Sequence, residues 1–394
     1  MRKLTLWLAF AAAASILVSV AVSQILMAVA LGVLLLSGVP LRWPRVSVPL
    51  GLFLLWSLVA LAASPDPAGG LDQVRKMYVF LILLILFSAV TKVSEARWLV
   101  VVWMGIGTIT AGRGLFQYLR DLTLAKEAGR DFYHFYIADR ISGFMSHWMT
   151  FSGQQLFVLL MLAAFLLFSP DLKKYLWLAA PCALLAGLAL VASNTRSIWG
   201  AAVVGGFYLL WCKRKWAAVA MPVMLAIALP LAPAMVKTRV RSIIAPETQT
   251  DSNTHRLVCR RIGYRMIQAH PFLGVGPDEI KKEDVLFSYL PADIHRPLPE
   301  GYYKHLHNFY IQYAAERGIP AAVFITAALL LSWWRFHRAI QTLPPGRSDR
   351  RFLLHAAIAC IIGTLAAGVY EYNLNDTEVL TMVLSILCVG EVAA

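Results

Sequence analysis

The sequence predicts an all-α, polytopic integral membrane protein with about twelve transmembrane helices and a long outer loop carrying amphipathic helices. Three observations predict it. Of 394 residues, 59% are apolar and only 15% charged, with mean hydropathy +0.64; a soluble domain carries about 25% charged residues. The apolar residues fall in blocks of about 16–22, the helical length that crosses ~30 Å of hydrocarbon. Lysine and arginine are sorted to one side of those blocks. These features exclude a soluble enzyme and a disordered tail. They also exclude a plain basic nucleic-acid binder, despite the formal charge of +14.

The chain reads as a single transmembrane domain over 1–394. Spans are expected at 5–22, 23–39, 47–63, 77–93 and 98–117, followed by an outer segment at 118–149. Spans at 150–168, 174–192, 196–212 and 216–233 lead to a second outer segment, 234–305. Spans at 308–334, 352–370 and 377–392 complete the set. The N-terminal apolar run continues to Val39, too far for the 7–15-residue core of a cleaved signal, so two helices turning near Ser23-Gln24 are expected. An even number of spans puts both termini on one side. With the N-terminus inside, sixteen lysines and arginines fall in cytoplasmic segments, against Arg75, Lys76 and Arg196 in the short outer loops. The positive-inside rule selects that orientation. Segment 118–149 keeps basic residues outside against the rule, which suggests a use for them. Of five cysteines only Cys259 falls in an outer loop, so no disulfide framework is implied.

The outer side collects the chemistry. Seven of nine histidines lie there: His134, His147, His255, His270, His295, His305 and His307. Histidine is the side chain suited to proton transfer near neutral pH. Segment 255–268 reads HRLVCRRIGYRMIQ. Leu257, Ile262, Met266 and Ile267 recur at helical spacing with Arg256, Arg260 and Arg261 between them, an amphipathic helix able to lie on a membrane surface. It runs into His270-Pro271-Phe272-Leu273-Gly274-Val275-Gly276, where Pro271 ends the helix and two glycines allow a tight turn. Arg196 stands at the outer mouth of the eighth span, where an arginine must snorkel or pair. Arg113 sits inside the fifth span with Thr110 and Gln117 near its face, and pairing within the protein is expected. His307 and Gly318 are eleven residues apart, almost three helical turns, so both are expected on one helix face with Gly318 admitting a neighbouring helix. The outer loops carry no Asp-x-Asp pair to hold a divalent ion, so no metal and no cofactor are expected. Arginines would meet a phosphate-bearing ligand instead.

These stretches resemble the O-antigen ligase family, which shares its membrane domain with O-antigen polymerases and some protein-glycosylating transferases. His307-Asn308, nine residues, then Gly318 is similar to the ligase signature; Ala321 departs from its last position. Arg256 ahead of the HPFLGVG turn is a second match, with Arg260 where the family usually has Trp. Thr195-Arg196-Ser197-Ile198-Trp199-Gly200 is a third, and Arg140-Ile-Ser-Gly143-Phe-Met-Ser-His147 a looser fourth. The resemblance covers about residues 140–335. It implies an inverting, metal-independent glycosyltransferase in a bacterial inner membrane, with both termini cytoplasmic and the site facing the periplasm. The donor would be a glycan on undecaprenyl diphosphate and the acceptor a sugar hydroxyl of lipid A-core, with membrane lipids around them and no nucleic acid. In this scheme His307 is the general base. Arg196 and Arg256 stabilise the leaving diphosphate, Asn308 and His305 orient the base or the acceptor, and Arg140 and His147 are further binding candidates. A polymerase of the same family differs only in its acceptor, and a protein O-oligosaccharyltransferase often carries an extra outer domain for which there is no room. From other classes, a lipid-linked glycan flippase would need the arginines but no base, and a secondary transporter would need repeats or broken helices.

Overall fold

The computed structural model describes residues 1–244, 252–299 and 301–394. Expectations for 245–251 and for position 300, both within the outer segment 234–305, lie outside the described residues. Among the described residues every regular element is helical. In chain order these are α1 (Arg2–Ser15), α2 (Val20–Leu36), α3 (Ser47–Ala62), α4 (Pro67–Arg75), α5 (Leu81–Ala89), α6 (Val93–Glu127), α7 (Phe132–Ala138), α8 (Trp148–Phe168) and α9 (Leu172–Ala192). They continue with α10 (Arg196–Lys213), α11 (Lys215–Ala228), α12 (Ala234–Ile244), α13 (Ser252–Ala269), α14 (Glu283–Ser288), α15 (Phe309–Thr342), α16 (Asp349–Ala367) and α17 (Thr377–Ala393).

A helix lies at each of the twelve expected spans, but five of them, α6, α8, α9, α15 and α16, are long and apolar enough to cross a membrane. The others are shorter; α1, at 14 residues, rises only about 21 Å at 1.5 Å per residue. The first turn is not at Ser23-Gln24. Ser19 caps α2 by accepting from the Val22 N–H, and Ser23 sits inside α2 with its hydroxyl donated to the Ala12 carbonyl at 2.7 Å. A serine that bonds across a helix pair does not mark a turn. Helix α6 runs unbroken to Glu127, into the segment expected as outer at 118–149, and its 35 residues exceed the length needed to cross ~30 Å of hydrocarbon.

Helix α8 forms the centre of the bundle, with α6, α9, α10 and α16 around it. Its buried polar side chains bond neighbouring segments, though the Gln155 amide oxygen finds no partner among the described residues. Gln154 donates to the Ile16 carbonyl at 2.9 Å, Gln155 to the Gly107 carbonyl at 3.0 Å, and Ser152 bonds Thr195 at 3.1 Å. An unmet amide in this interior would cost several times what a made bond returns, so these contacts set the register of α8 against α1, α6 and the start of α10.

The described part of segment 234–305, expected on the outer side, builds a protein-packed cap. Helix α13 is amphipathic as expected, but its apolar stripe faces protein, not a membrane surface. Cys259, Ile262 and Met266 are fully buried against Leu306, Ile311 and Ala315, while Leu257 points outward at 60% exposure. Helix α15 also departs from expectation. Gly318 has φ 80° and ψ 163°, a break that separates Phe309–Arg317 from the longer remainder. The closest approach to Gly318 comes from the HPFLGVG turn rather than from a helix: a Cβ on Gly318 would lie 1.8 Å from the Phe272 carbonyl oxygen. The turn and the break are joined by backbone bonds, Ile319 N–H to Pro271 O at 2.8 Å, Val275 N–H to Ala315 O at 2.8 Å and Gly276 N–H to Glu316 O at 3.0 Å. The Trp56 indole N–H of α3 bonds both the Phe272 and Arg317 carbonyls at 3.0 Å. Three separate stretches of chain are thereby clasped beneath His307.

Candidate active site

A cleft of about 640 Å³ opens at the end of the bundle where α8, α10 and α17 begin and where the chain enters α15. The first turns of α10 and α17 carry no side-chain cap, so the positive ends of their helix dipoles face this region. Arg140, Arg196, Arg239, Arg256, Lys281 and Lys304 line the cleft, against four carboxylates, Glu316, Glu371, Asp376 and Glu378. Burial raises the Asp376 carboxyl to about 7, which leaves the cleft still more positive. The combination suits a multiply charged anion.

Six of the seven residues singled out in the sequence line this cleft: Arg140, His147, Arg196, Arg256, His305 and His307. They come from segments more than 160 residues apart. Asn308 does not. It caps α15, accepting from the Ile311 N–H at 2.9 Å, and donates to the Val369 carbonyl at 2.9 Å. These bonds hold the start of α15 and the α16–α17 connection together.

His307 is 5% exposed and has φ 51°, in the left-handed region that non-glycine residues seldom occupy. Its Nε2 lies 2.8 Å from the Tyr302 carbonyl and 3.3 Å from His255 Nε2. A carbonyl only accepts, so Nε2 carries the proton and Nδ1 keeps its lone pair. That Nδ1 is buried and has no hydrogen-bond partner among the described residues. The ring sits 4.0 Å from His305, whose Nδ1 accepts from the His307 backbone N–H at 3.2 Å. Burial, then His305 and Arg256, push the His307 imidazole down to about 2. Burial and Arg256 likewise lower His305 to about 4. Both rings are neutral throughout the physiological range, and His307 offers one unused acceptor.

The cations are held individually. Arg196, the first residue of α10, donates to Ser242 at 2.5 Å and to Asn253 at 3.0 Å, tying α10 to α12 and α13. Arg256 pairs with Glu371 at 3.1 Å; Glu371 also accepts from Ser197 at 2.6 Å and is 1% exposed. The second Glu371 oxygen is buried without a partner among the described residues. Arg140 lies over the Trp148 ring at 5.1 Å and donates to the Asn194 carbonyl at 3.3 Å. His147 caps α8 through Nδ1, accepting from the Met149 N–H at 3.2 Å, and stacks on Trp148; burial and Arg140 lower its proton affinity. The expected pairing of Arg113 is met. Its Nε donates to the Gly143 carbonyl at 2.8 Å, and Gln117 holds the same turn from both sides, accepting from Gly143 N–H at 2.9 Å. These two residues fix the loop that presents Arg140 and His147.

Several lining residues escaped the sequence reading. Glu371 and Asp376 lie in a short connection between two apolar runs and carry no motif. His255 stands in the sequence only as one of the outer histidines, and Arg239 carries no motif of its own. The pairing of His255 with His307 follows from α13 packing beside α15, and no spacing rule spans the 52 residues between them.

Residues 181–326 match the family model described as O-antigen ligase. No curated protein matches the chain. Arg196, Arg256 and His307 lie inside the matched region, whereas Arg140, His147 and Glu371 join the cleft from outside it. The segment of this chain that supplies the cleft's central histidine and two of its arginines is thus the part that is similar to the O-antigen ligase family.

Proposed function

We propose that this protein is an inverting, metal-independent glycosyltransferase of the ligase type. It moves a glycan from undecaprenyl diphosphate to a sugar hydroxyl of lipid A-core on the periplasmic face of the bacterial inner membrane. In this proposal the chain crosses the membrane twelve times with both termini cytoplasmic. The observation that carries the proposal is the meeting of a neutral, half-unsatisfied imidazole with a set of arginines in one cleft.

The chemistry follows from the residues. His307 Nδ1 takes the proton of the acceptor hydroxyl. The oxygen attacks the anomeric carbon, the bond from that carbon to the diphosphate oxygen breaks, and undecaprenyl diphosphate departs with inversion. Arg196 and Arg256 neutralise charge as it grows on the leaving diphosphate, a role worth about 10²–10³ in rate for one such donor. In the empty cleft His307 is a weak base. The two negative charges of a bound diphosphate offset Arg256 and draw its proton affinity upward, so the base is strengthened where the donor is in place. His305 orients His307 through its backbone N–H.

Reconstitution with a lipid-linked glycan tests the reading, with lipid A-core offered in one vessel and only more donor in another. Glycan on lipid A-core supports the ligase. Elongated donor alone points to a polymerase. A His307→Ala protein that clears donor from the outer leaflet at the normal rate without forming a glycosidic bond would indicate a flippase. Activity should persist in a chelator, because guanidinium groups occupy the place of a divalent ion.

A further inference from the structure

A second cavity, of about 580 Å³, opens at the opposite end of the bundle, between the α2–α3 connection, the far part of α15 and the end of α17. Its wall includes Trp43, Arg45, Trp334, Arg335, Arg338 and Glu391. Three guanidinium groups thus face one side-chain carboxylate. Arg335 takes that carboxylate, at 3.0 Å from Glu391. Arg45 and Arg338 form no ion pair among the described residues; Arg338 lies over the Trp334 ring at 5.3 Å. Nearby, Arg42 lies over Phe87 at 4.7 Å, adding to the positive field. Trp43 and Trp334 are 54% and 50% exposed, and large indoles of this kind settle at the headgroup level of a bilayer.

An apolar track leaves the cavity along α15. Ile319, Val323, Leu330 and Trp334 are each about half exposed. Their spacings of four, seven and four place them on one helix face. A ligand with an anionic head and a long apolar tail fits both features. A free anion fits only the first.

We propose that this cavity binds the phosphate headgroup of an anionic phospholipid, with an acyl chain lying along the α15 track. The planar guanidinium of Arg45 and that of Arg338 meet the phosphate oxygens, and Trp43 and Trp334 flank the glycerol region. In the sequence-derived orientation these residues face the cytoplasm, where a basic pocket between membrane helices suits an anionic headgroup. The unbroken part of α15 from Ile319 to Arg335 alone separates the cavity from the cleft by 16 residues, roughly 24 Å of helical rise, so the assignment does not rest on the transferase proposal.

Native mass spectrometry of the full chain in detergent tests it, with phosphatidylglycerol, phosphatidylcholine of the same acyl chains and soluble glycerol phosphate as separate probes. The expected result is one phosphatidylglycerol retained in preference to phosphatidylcholine, with glycerol phosphate at least about a hundredfold weaker. An Arg45→Ala/Arg338→Ala protein should lose that preference by about tenfold or more, and Arg45→Lys/Arg338→Lys should keep most of it. No preference in the unmodified protein overturns the proposal without reference to any variant. Equal retention by the double-alanine protein overturns the residue assignment. Glycerol phosphate binding as tightly as the lipid overturns the acyl track.

Discussion

Gly318 is the position at which the fold and the cleft depend most directly on one atom. Its φ of 80° with ψ of 163° belongs to a region occupied almost solely by glycine. An alanine there incurs about 1–3 kcal/mol of backbone strain. Its Cβ would stand 1.8 Å from the Phe272 carbonyl oxygen and 2.8 Å from the Leu273 nitrogen. Contact below 3.0 Å is not tolerated, so the turn must retreat by at least about 1.2 Å. Retreat stretches the bonds from Ile319 to Pro271 and from Val275 to Ala315, each worth about 1 kcal/mol. The total is about 3–5 kcal/mol of stability. The rate should suffer as well, because that turn continues α13, which carries His255 and Arg256, while the break continues the piece that carries His307. A 1 Å misplacement of reacting groups costs on the order of 10² in rate. Gly318→Ala should therefore unfold at a markedly lower temperature in detergent and transfer glycan about a hundredfold more slowly in proteoliposomes. Gly105→Ala is the control: on α6 a Cβ there meets open space, and the change should be neutral to slightly stabilising. A Gly318→Ala protein with normal melting and normal turnover would refute the clasp between turn and break.

Three other outcomes are expected. His307→Ala should reduce transfer by about 10²–10⁴ while leaving donor binding within a few-fold; a full-rate His307→Ala enzyme removes the base from the scheme. Arg256→Ala should lose transfer and also stability, by about 3 kcal/mol, since it leaves the Glu371 carboxylate buried without its cation. Adding Glu371→Gln should restore the melting temperature but not the transfer, whereas restored transfer would show that Arg256 only balances charge. His307 is neutral when folded because its proton affinity is depressed. Below about pH 6.5 the unfolded chain takes up a proton at His307 that the folded chain does not, so this residue should cost about 1.4 kcal/mol of stability per pH unit as pH drops through 6 and 5, beside a like contribution from His305, and His307→Gln should reduce the total slope by about that amount. For the same reason kcat/KM should show no acid limb near pH 6.5 from His307; one that persists in Asp376→Asn contradicts the assigned environment.

The departures from expectation share a cause. The spacing of His307 and Gly318 was measured along an unbroken helix, but the docked turn holds Gly318 at positive φ, so the shared face does not exist. Helical periodicity in 255–268 located α13 correctly and misjudged its surroundings. Leu257 is as apolar as Ile262, and only the presence of Leu306 and Ile311 on one side makes the second buried and the first exposed. Asn308 follows the histidine in the motif as expected, yet serves as a cap because its side chain meets the free N–H of its own helix first. Glu371 carries no local signal at all, since an acid in a loop between two apolar runs is ordinary until Arg256 and Ser197 arrive beside it.

By itself the sequence determined that the chain is a bundle of apolar helices and roughly where each helix lies, and it pointed to His307, Arg196 and Arg256, which the structure brings to one cleft. Those are local properties: transfer into hydrocarbon and helical periodicity act residue by residue within one segment, and the family motifs are short. Only the tertiary structure decided that residues from 140 to 376 share one cleft, that Glu371 and His255 stand against Arg256 and His307, and that the HPFLGVG turn closes on Gly318. Such meetings depend on how distant helices pack and on which buried polar groups must satisfy one another, and no window along the chain contains both partners.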